Sequence, residues 1–186
     1  MSWFRDYLTG RPLVLDASAL INLMGCGVPS AVLRSVGDVS FVEEKVVGEI
    51  KRHPIPGICH ELELEGLVSA GLIQRTRMDG KEYEFYLALV QAPLGERLGS
   101  GESASLAVAQ SRGLTVILDE NKGRSFVANR FPEIDTVSSL SLLVSAAARS
   151  GWSQSDLREV VSAARTHARM GVPRDEKALL ALVMGK

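Results

Sequence analysis

Cysteine is scarce in this chain. Two residues in 186, Cys26 and Cys59, cannot build the framework of bridges that staples small secreted domains, so a reducing compartment is expected. With His53 and His60 they make a poor zinc set. Cys59 and His60 are adjacent and point in different directions on any regular element, and no paired ligand spacing is present. Both cysteines read as small buried hydrophobes. Aromatic residues are also few, with five Phe, three Tyr and two Trp, which argues against a stacking platform for single strands as the main binding device. Bulk positive charge is missing: 21 Lys and Arg face 22 Asp and Glu, for a formal charge of −1. A protein that wraps nucleic acid by overall charge is excluded, and any such contact must be a local patch. No charge-free apolar run reaches the ~18 residues of a membrane helix. The stretch Leu13–Met24 is interrupted by Asp16 and Asn22. No targeting segment is visible, and a soluble, cytoplasmic protein is expected. Three histidines, no G-x-S-x-G elbow, no P-loop and no G-x-G-x-x-G after a strand leave little support for a hydrolase triad or a nucleotide cradle.

What remains is average for a globular protein, 46% hydrophobic and 23% charged. The length predicts one domain, 1–186, with a core over 13–150 and C-terminal helices over 151–186. Short apolar runs alternate with segments of helical character, the pattern of a parallel sheet with crossover helices. The predicted strands are 13–15, 39–42, 72–76, 114–118 and 134–137. A helix runs on from the first strand through Met24. Other helices are predicted over 43–52, 58–69, 79–91, 101–112 with Ser100 as N-cap and Gly113 as its stop, 122–129 and 139–149. From Trp152 the chain is expected to be helical, opened by a Ser153–Asp156 capping box, with Pro173 near the start of the last helix.

In an open parallel sheet, ligands bind beyond the carboxyl ends of the strands. Asp16 and Asp119 each follow one of the clearest strands. Glu102 opens the helix before the second of them. About eleven helical residues descend ~16 Å, and five strand residues climb back ~16 Å, so Glu102 and Asp119 are expected at the same sheet edge. Glu49, about two turns into its own helix, can lean over that edge from the side. Each acid also has a plain explanation: helix-dipole compensation for Glu102, capping or turn formation for the aspartates, simple solvation for Glu49. Those explanations do not require the four to converge. Clustered carboxylates repel and are costly to bury, and a hard divalent cation such as Mg²⁺ or Mn²⁺ removes the conflict.

The segments VLDASALINL at Val14–Leu23, VVGEI at Val46–Ile50, LGSGESASLAVA at Leu98–Ala109 and VILDENKGRSFVA at Val116–Ala128 resemble, in order and spacing, the motif blocks of PIN-domain ribonucleases. The likeness is closest to the VapC-like group and its relatives with a D-E-x-x-G-R block. The resemblance implies a PIN-like three-layer α/β/α sandwich with a parallel sheet of about five strands and a helical C-terminal end. It also implies a Mg²⁺- or Mn²⁺-dependent centre that cleaves single-stranded RNA. By position, Asp16, Glu49, Glu102 and Asp119 would be the catalytic acids. Asp16, Glu102 and Asp119 would hold the metal, and Glu49 would act through water. Ser18 would orient Asp16, or else cap the helix beside it. Many relatives carry a further acid just beyond the fourth carboxylate. Here Glu120 is expected to face away and Asn121 offers only a neutral ligand, which leaves the second metal position open.

Lys122 and Arg124, near a helix start, either hold an RNA phosphate or, for Arg124, pack along the sheet edge or pair with Glu120. The cluster Lys51, Arg52 and His53 reads first as a solvated helix end. The resulting expectation is an endoribonuclease, either the toxin of a toxin–antitoxin pair with an antitoxin protein as partner or an RNA-processing enzyme. The rivals are a non-catalytic PIN-like scaffold and a phosphatase or nucleotide-processing enzyme with a small closed pocket. A homodimer is expected, with Ala146–Ala148 and Leu179–Val183 as candidate surfaces.

Overall fold

The computed structural model describes residues 5–94 and 96–185. Five parallel strands form one sheet in the order β3-β2-β1-β4-β5: β1 (Leu13–Leu15), β2 (Ser40–Glu43), β3 (Ile73–Thr76), β4 (Thr115–Ile117) and β5 (Thr136–Val137). Between β1 and β2 lie α1 (Ala17–Gly25) and α2 (Pro29–Val36). The short α3 (Glu44–Glu49) and α4 (His60–Ser69) lead to β3, and α5 (Gly80–Val90) and α6 (Ser100–Arg112) lead to β4. Next come α7 (Asn121–Arg130), α8 (Ser139–Ser150), α9 (Gln154–His167), a 3₁₀ turn at Arg174–Glu176 and α10 (Lys177–Met184).

The central strand is buried on both faces, and its period-two alternation sorts the core into two layers. Leu13 and Leu15 face one cluster, packed by Leu20 and Leu23 of α1, Val32 and Leu33 of α2, Leu140 and Val144 of α8, and Leu157 and Val161 of α9. Val14 faces the other, with Leu106 and Val108 of α6, Val116, and Val127 of α7. The result is the expected α/β/α sandwich. Pairing of β1 with β4, Leu13 to Thr115 through Leu15 to Ile117, matters most for function. The chain lays down β1, β2 and β3 outward in one direction. It then returns through α5 and α6 to start again on the other side of β1. Strand order therefore reverses between β1 and β4, the crevice in which open α/β sheets bind ligands.

Several expectations change. Sequence reading placed nothing between Met24 and Val39, yet α2 lies there. Pro29 sits in its first turn, where a missing N–H costs nothing, and Pro29, Val32, Leu33 and Val36 are its buried face. Gly99, not Ser100, is the N-cap of α6, while Gly113 does close it in the left-handed region. α3 stops at Glu49, because Ile50 is already extended. Cys59 is exposed rather than buried. Ala146 and Ala147 are buried inside this chain, where α8 packs on α2, so that stripe is not a surface. Of the other candidate surface, Val183 is buried and Leu182 stands 57% exposed. Among the described residues no single helix is long and apolar enough to cross a membrane.

Candidate active site

Asp16 leaves the end of β1 and is the N-cap of α1. Its Oδ1 accepts the Ala19 N–H at 2.6 Å, and Ser18 Oγ reaches both carboxylate oxygens, at 3.0 and 2.9 Å. Capping falls to Asp16 itself, and Ser18 braces it. The side chain is buried, and burial, more than any neighbour, pushes its carboxyl from 3.8 up to about 7. Asp119 and Glu102 add electrostatic repulsion, and the Ala19 and Ser18 donors partly offset the rise. Of the two costs expected for clustered carboxylates, repulsion and burial, burial is the larger here.

Asp119 lies two residues beyond the end of β4. Ser139, at the start of α8, donates its backbone N–H to Oδ1 at 2.7 Å and its hydroxyl to Oδ2 at 2.5 Å. Asn22 of α1 donates to Oδ2 at 2.8 Å. Burial still raises the Asp119 carboxyl above its usual range. Glu102 sits in the first turn of α6, where the free N–H groups favour an acid. Its Oε2 accepts the Gly99 N–H at 3.1 Å, while its buried Oε1 finds no hydrogen-bond donor among the described residues. Burial raises this carboxyl too, and Glu120 beside it raises it further. Glu49, the last residue of α3, reaches across to α6 and accepts the Gly101 N–H at 2.7 Å.

Asp16, Glu49 and Glu102 line one cleft of about 400 Å³, with Ser18 between them and Arg97 and Lys122 at its rim. Glu120 lines it as well, contrary to the expectation that it faces away. Asp119 opens into an adjoining hollow that shares Ser18 and Glu120 with the cleft. The basic neighbours divide. Lys122 lies at the cleft and donates to the Arg97 carbonyl at 2.6 Å. Arg124 is committed elsewhere, paired with Asp175 at 3.2 Å and Glu176 at 3.5 Å, and so is not a free phosphate clamp. Asn121 Oδ1 accepts the Arg174 N–H at 3.0 Å, which removes it as a ready ligand.

Glycine supplies what the motif reading passed over. A Cβ on Gly101 would stand 2.6 Å from Glu49 Oε2, and one on Gly123 would stand 2.7 Å from Glu102 Oε1. Two carboxylates thus nestle where side chains would otherwise be. Asn22, visible as a polar break in an apolar helix, and Ser139, just beyond a strand end, were the sequence signals for the cradle around Asp119.

All four acids are hard oxygen donors; Asp16 is buried, Glu102 and Asp119 are half-buried and Glu49 is exposed, and the buried, bare Oε1 of Glu102 is the clearest case of an unmatched charge. That fits a hard divalent cation. Among the described residues no three His, Cys, Asp or Glu side chains close together on one point. This arrangement matches Mg²⁺, which takes one or two carboxylates and completes its shell with water and substrate phosphate oxygens.

Comparison with known families matches residues 12–175 to a PIN domain. No curated protein and no solved structure matches the chain. The match spans all five strands and the four acids, and PIN domains are nuclease folds that typically use Mg²⁺ or Mn²⁺. A parallel five-stranded sheet, carboxylates gathered at its switch point and a family match over most of the chain lead to one conclusion: this chain belongs to the PIN-domain family.

Proposed function

We propose that the protein is a metal-dependent endoribonuclease that cuts phosphodiester bonds in single-stranded RNA. The observation that carries the proposal is the uncompensated acid cluster at the β1–β4 crevice. Asp16 is driven to about 7 and Glu102 keeps a bare buried oxygen, a costly arrangement that a substrate-completed cation relieves. Of Asp16, Glu102 and Asp119, one or two would bind the metal directly and the others through its bound waters. When bound, Mg²⁺ or Mn²⁺ supplies Lewis acidity toward a phosphodiester oxygen and lowers the pKa of water. The chain's own residues orient the reacting groups. Ser18 and the Ala19 N–H fix Asp16, Ser139 and Asn22 fix Asp119, and the Gly101 N–H holds Glu49, which receives the proton of the attacking water. Lys122 stands at the rim where a phosphate would enter.

The cleft's open acidic floor and basic rim support RNA over a small, enclosed nucleotide. Incubating end-labelled single-stranded RNA with Mg²⁺, Mn²⁺ or chelator tests the reading. Wild-type protein should cut only with metal, and Asp119→Asn should not cut while remaining folded. Equal cleavage by Asp119→Asn would refute the assignment of the centre. Folded wild-type protein that cuts no RNA with either ion would instead support a non-catalytic scaffold. The VapC-like resemblance of the motif blocks extends the proposal to a toxin with an antitoxin partner, or to an RNA-processing enzyme. A small adjacent gene for a DNA-binding antitoxin distinguishes the two. The homodimer proposal now has only Leu182 exposed within its remaining candidate segment, and light scattering at the monomer mass would end it.

A further inference from the structure

A second groove, of about 760 Å³, runs away from the carboxylate cleft between α1, the loop after α3 and the end of α9. It shares Glu49 with the cleft, and Ile21, Ala168 and Arg169 with the hollow that holds Asp119. Lys51, Arg52, His167 and Arg169 line it. Glu49 is its one acid among the described residues, and the Gly101 N–H already engages that carboxylate. His53 lies beneath, tied to Glu63 at 2.5 Å. Elsewhere on the surface six arginines are paired with carboxylates: Arg11, Arg75, Arg112, Arg124, Arg130 and Arg149. Arg52, His167 and Arg169 take part in none of the ion pairs among the described residues, and Lys51 donates to the Gly48 carbonyl.

Arg169 also has an unusual backbone. It is the only non-glycine with positive φ among the described residues, at 57°. α6, α8 and α10 all end on a left-handed glycine, Gly113, Gly151 and Gly185. At the end of α9 the left-handed position carries an arginine instead, a conformation that crowds Cβ and that glycine adopts freely. The surroundings hold it there. A Cβ on Gly25 would come within 2.6 Å of Ala168 Cβ, so α1 and the end of α9 are in close approach, and Met170 beyond it is buried and donates its N–H to the Ala164 carbonyl at 3.3 Å. A strained residue beside a site points to function.

We propose that this groove is a phosphate-backbone subsite for single-stranded RNA, continuous with the carboxylate cleft, and that Arg169 is a positioning residue in it. The inference rests on the ribonuclease reading and deepens it. A cluster of carboxylates repels a polyanion, so a strand drawn across it must be held by cations on both sides. Arg97 and Lys122 stand on one side. Lys51, Arg52 and Arg169 stand on the other.

Fluorescence anisotropy with a short, end-labelled single-stranded RNA, in chelator and across a salt series, tests this without turnover. Arg169→Ala and Arg169→Gly should weaken binding about five- to tenfold and reduce the salt slope by about 0.7, the loss of one phosphate contact to a single strand. Arg169→Lys should retain most of the affinity. Arg34→Ala, which removes the same charge from an exposed position on α2 outside the groove's lining, should match wild type. Arg169→Gly should also raise Tm by about 2–4 °C by relieving the left-handed strain, so weaker binding cannot be put down to misfolding. Wild-type affinity in Arg169→Gly, or no binding of RNA by the wild type, would overturn the subsite. So would an acidic peptide that competes as well as unlabelled RNA, since the groove would then be a protein-docking patch. If Arg169→Gly weakens binding while wild-type protein cuts no RNA with Mg²⁺ or Mn²⁺, the subsite stands and the nuclease reading fails.

Discussion

Asp16→Asn should make the metal-free protein more stable at neutral pH, although it damages the centre. Burial lifts the Asp16 carboxyl from 3.8 to about 7, and each tenfold change in proton affinity is worth about 1.4 kcal/mol. Because the folded pKa is the higher one, the penalty is absent at acidic pH, where Asp16 is protonated in both states. It grows as pH rises through the unfolded value near 4, and levels off above the folded value near 7. At pH 8 it amounts to about 4 kcal/mol, a large share of the 5–15 kcal/mol that typically holds a domain together. The amide keeps the N-cap bond to Ala19 and can donate to Ser18, at a cost of about 1 kcal/mol for weaker, uncharged bonds. The net gain is about 3 kcal/mol. For a chain of this length that is roughly 6–12 °C in Tm.

Thermal melts of wild type and Asp16→Asn, in chelator from pH 4 to pH 8, provide the assay. The difference between the two proteins is the readout, since every other titrating group is common to both. The gap should be widest at pH 8 and close toward pH 4. A gap that does not change with pH, or an Asp16→Asn protein less stable than wild type at pH 8, would refute the argument that Asp16 sits buried and uncompensated.

Added Mg²⁺ should offset the same penalty: at ten times its dissociation constant, linkage contributes about 1.4 kcal/mol, or roughly 3–6 °C for wild type, and much less for Asp16→Asn. Calorimetry matched for ionic strength checks this, and a wild-type melt indifferent to Mg²⁺ and Mn²⁺ would count against a preformed centre. Gly101→Ala should split stability from activity. Its methyl would meet Glu49 Oε2 at 2.6 Å and evict that carboxylate, while alanine's helix propensity contributes about 0.8–1.0 kcal/mol; cleavage should fall with Tm unchanged or higher. Arg112→Ala should cost about 3 kcal/mol, because Glu82, its side chain 1% exposed, loses a two-pronged partner at 2.7 and 2.9 Å; denaturant titration would show it.

The sheet was legible because its signal is local. An apolar run such as Leu13–Leu15 or Leu114–Leu118 closed by an acid can be read without knowing what it touches, and a parallel sheet puts such acids at one edge. Gly113 at the end of α6 and the Ser153–Asp156 box were readable for the same reason, since a cap involves neighbours in the chain. α2 was missed, although Pro29, Val32, Leu33 and Val36 carry the spacing of a buried helix face, because it is short and lies between two stronger signals. What could not be read is what depends on distant partners. Arg124 was open between a phosphate contact and a pairing with Glu120, because Asp175 and Glu176, which occupy it, lie 51 and 52 residues away. Glu120 was expected to face away on strand alternation, yet the chain has left the strand after Ile117 and is already the N-cap of α7.

Glycine shows most clearly why a site is harder to read than a fold. Gly101 and Gly123 resemble ordinary helix residues in sequence, and neither needs a positive φ. Their use is to lack a methyl group where a carboxylate from another segment must lie. Gly101 therefore belongs with Glu49 and Gly123 with Glu102, as pairs 52 and 21 residues apart. Helix starts also position the acids of the site. Each is held by backbone N–H groups or hydroxyls from a helix start, which fix the carboxylate without neutralising it. Lysine or arginine in those positions would have stabilised the empty fold more, and would have left nothing for a cation to bind.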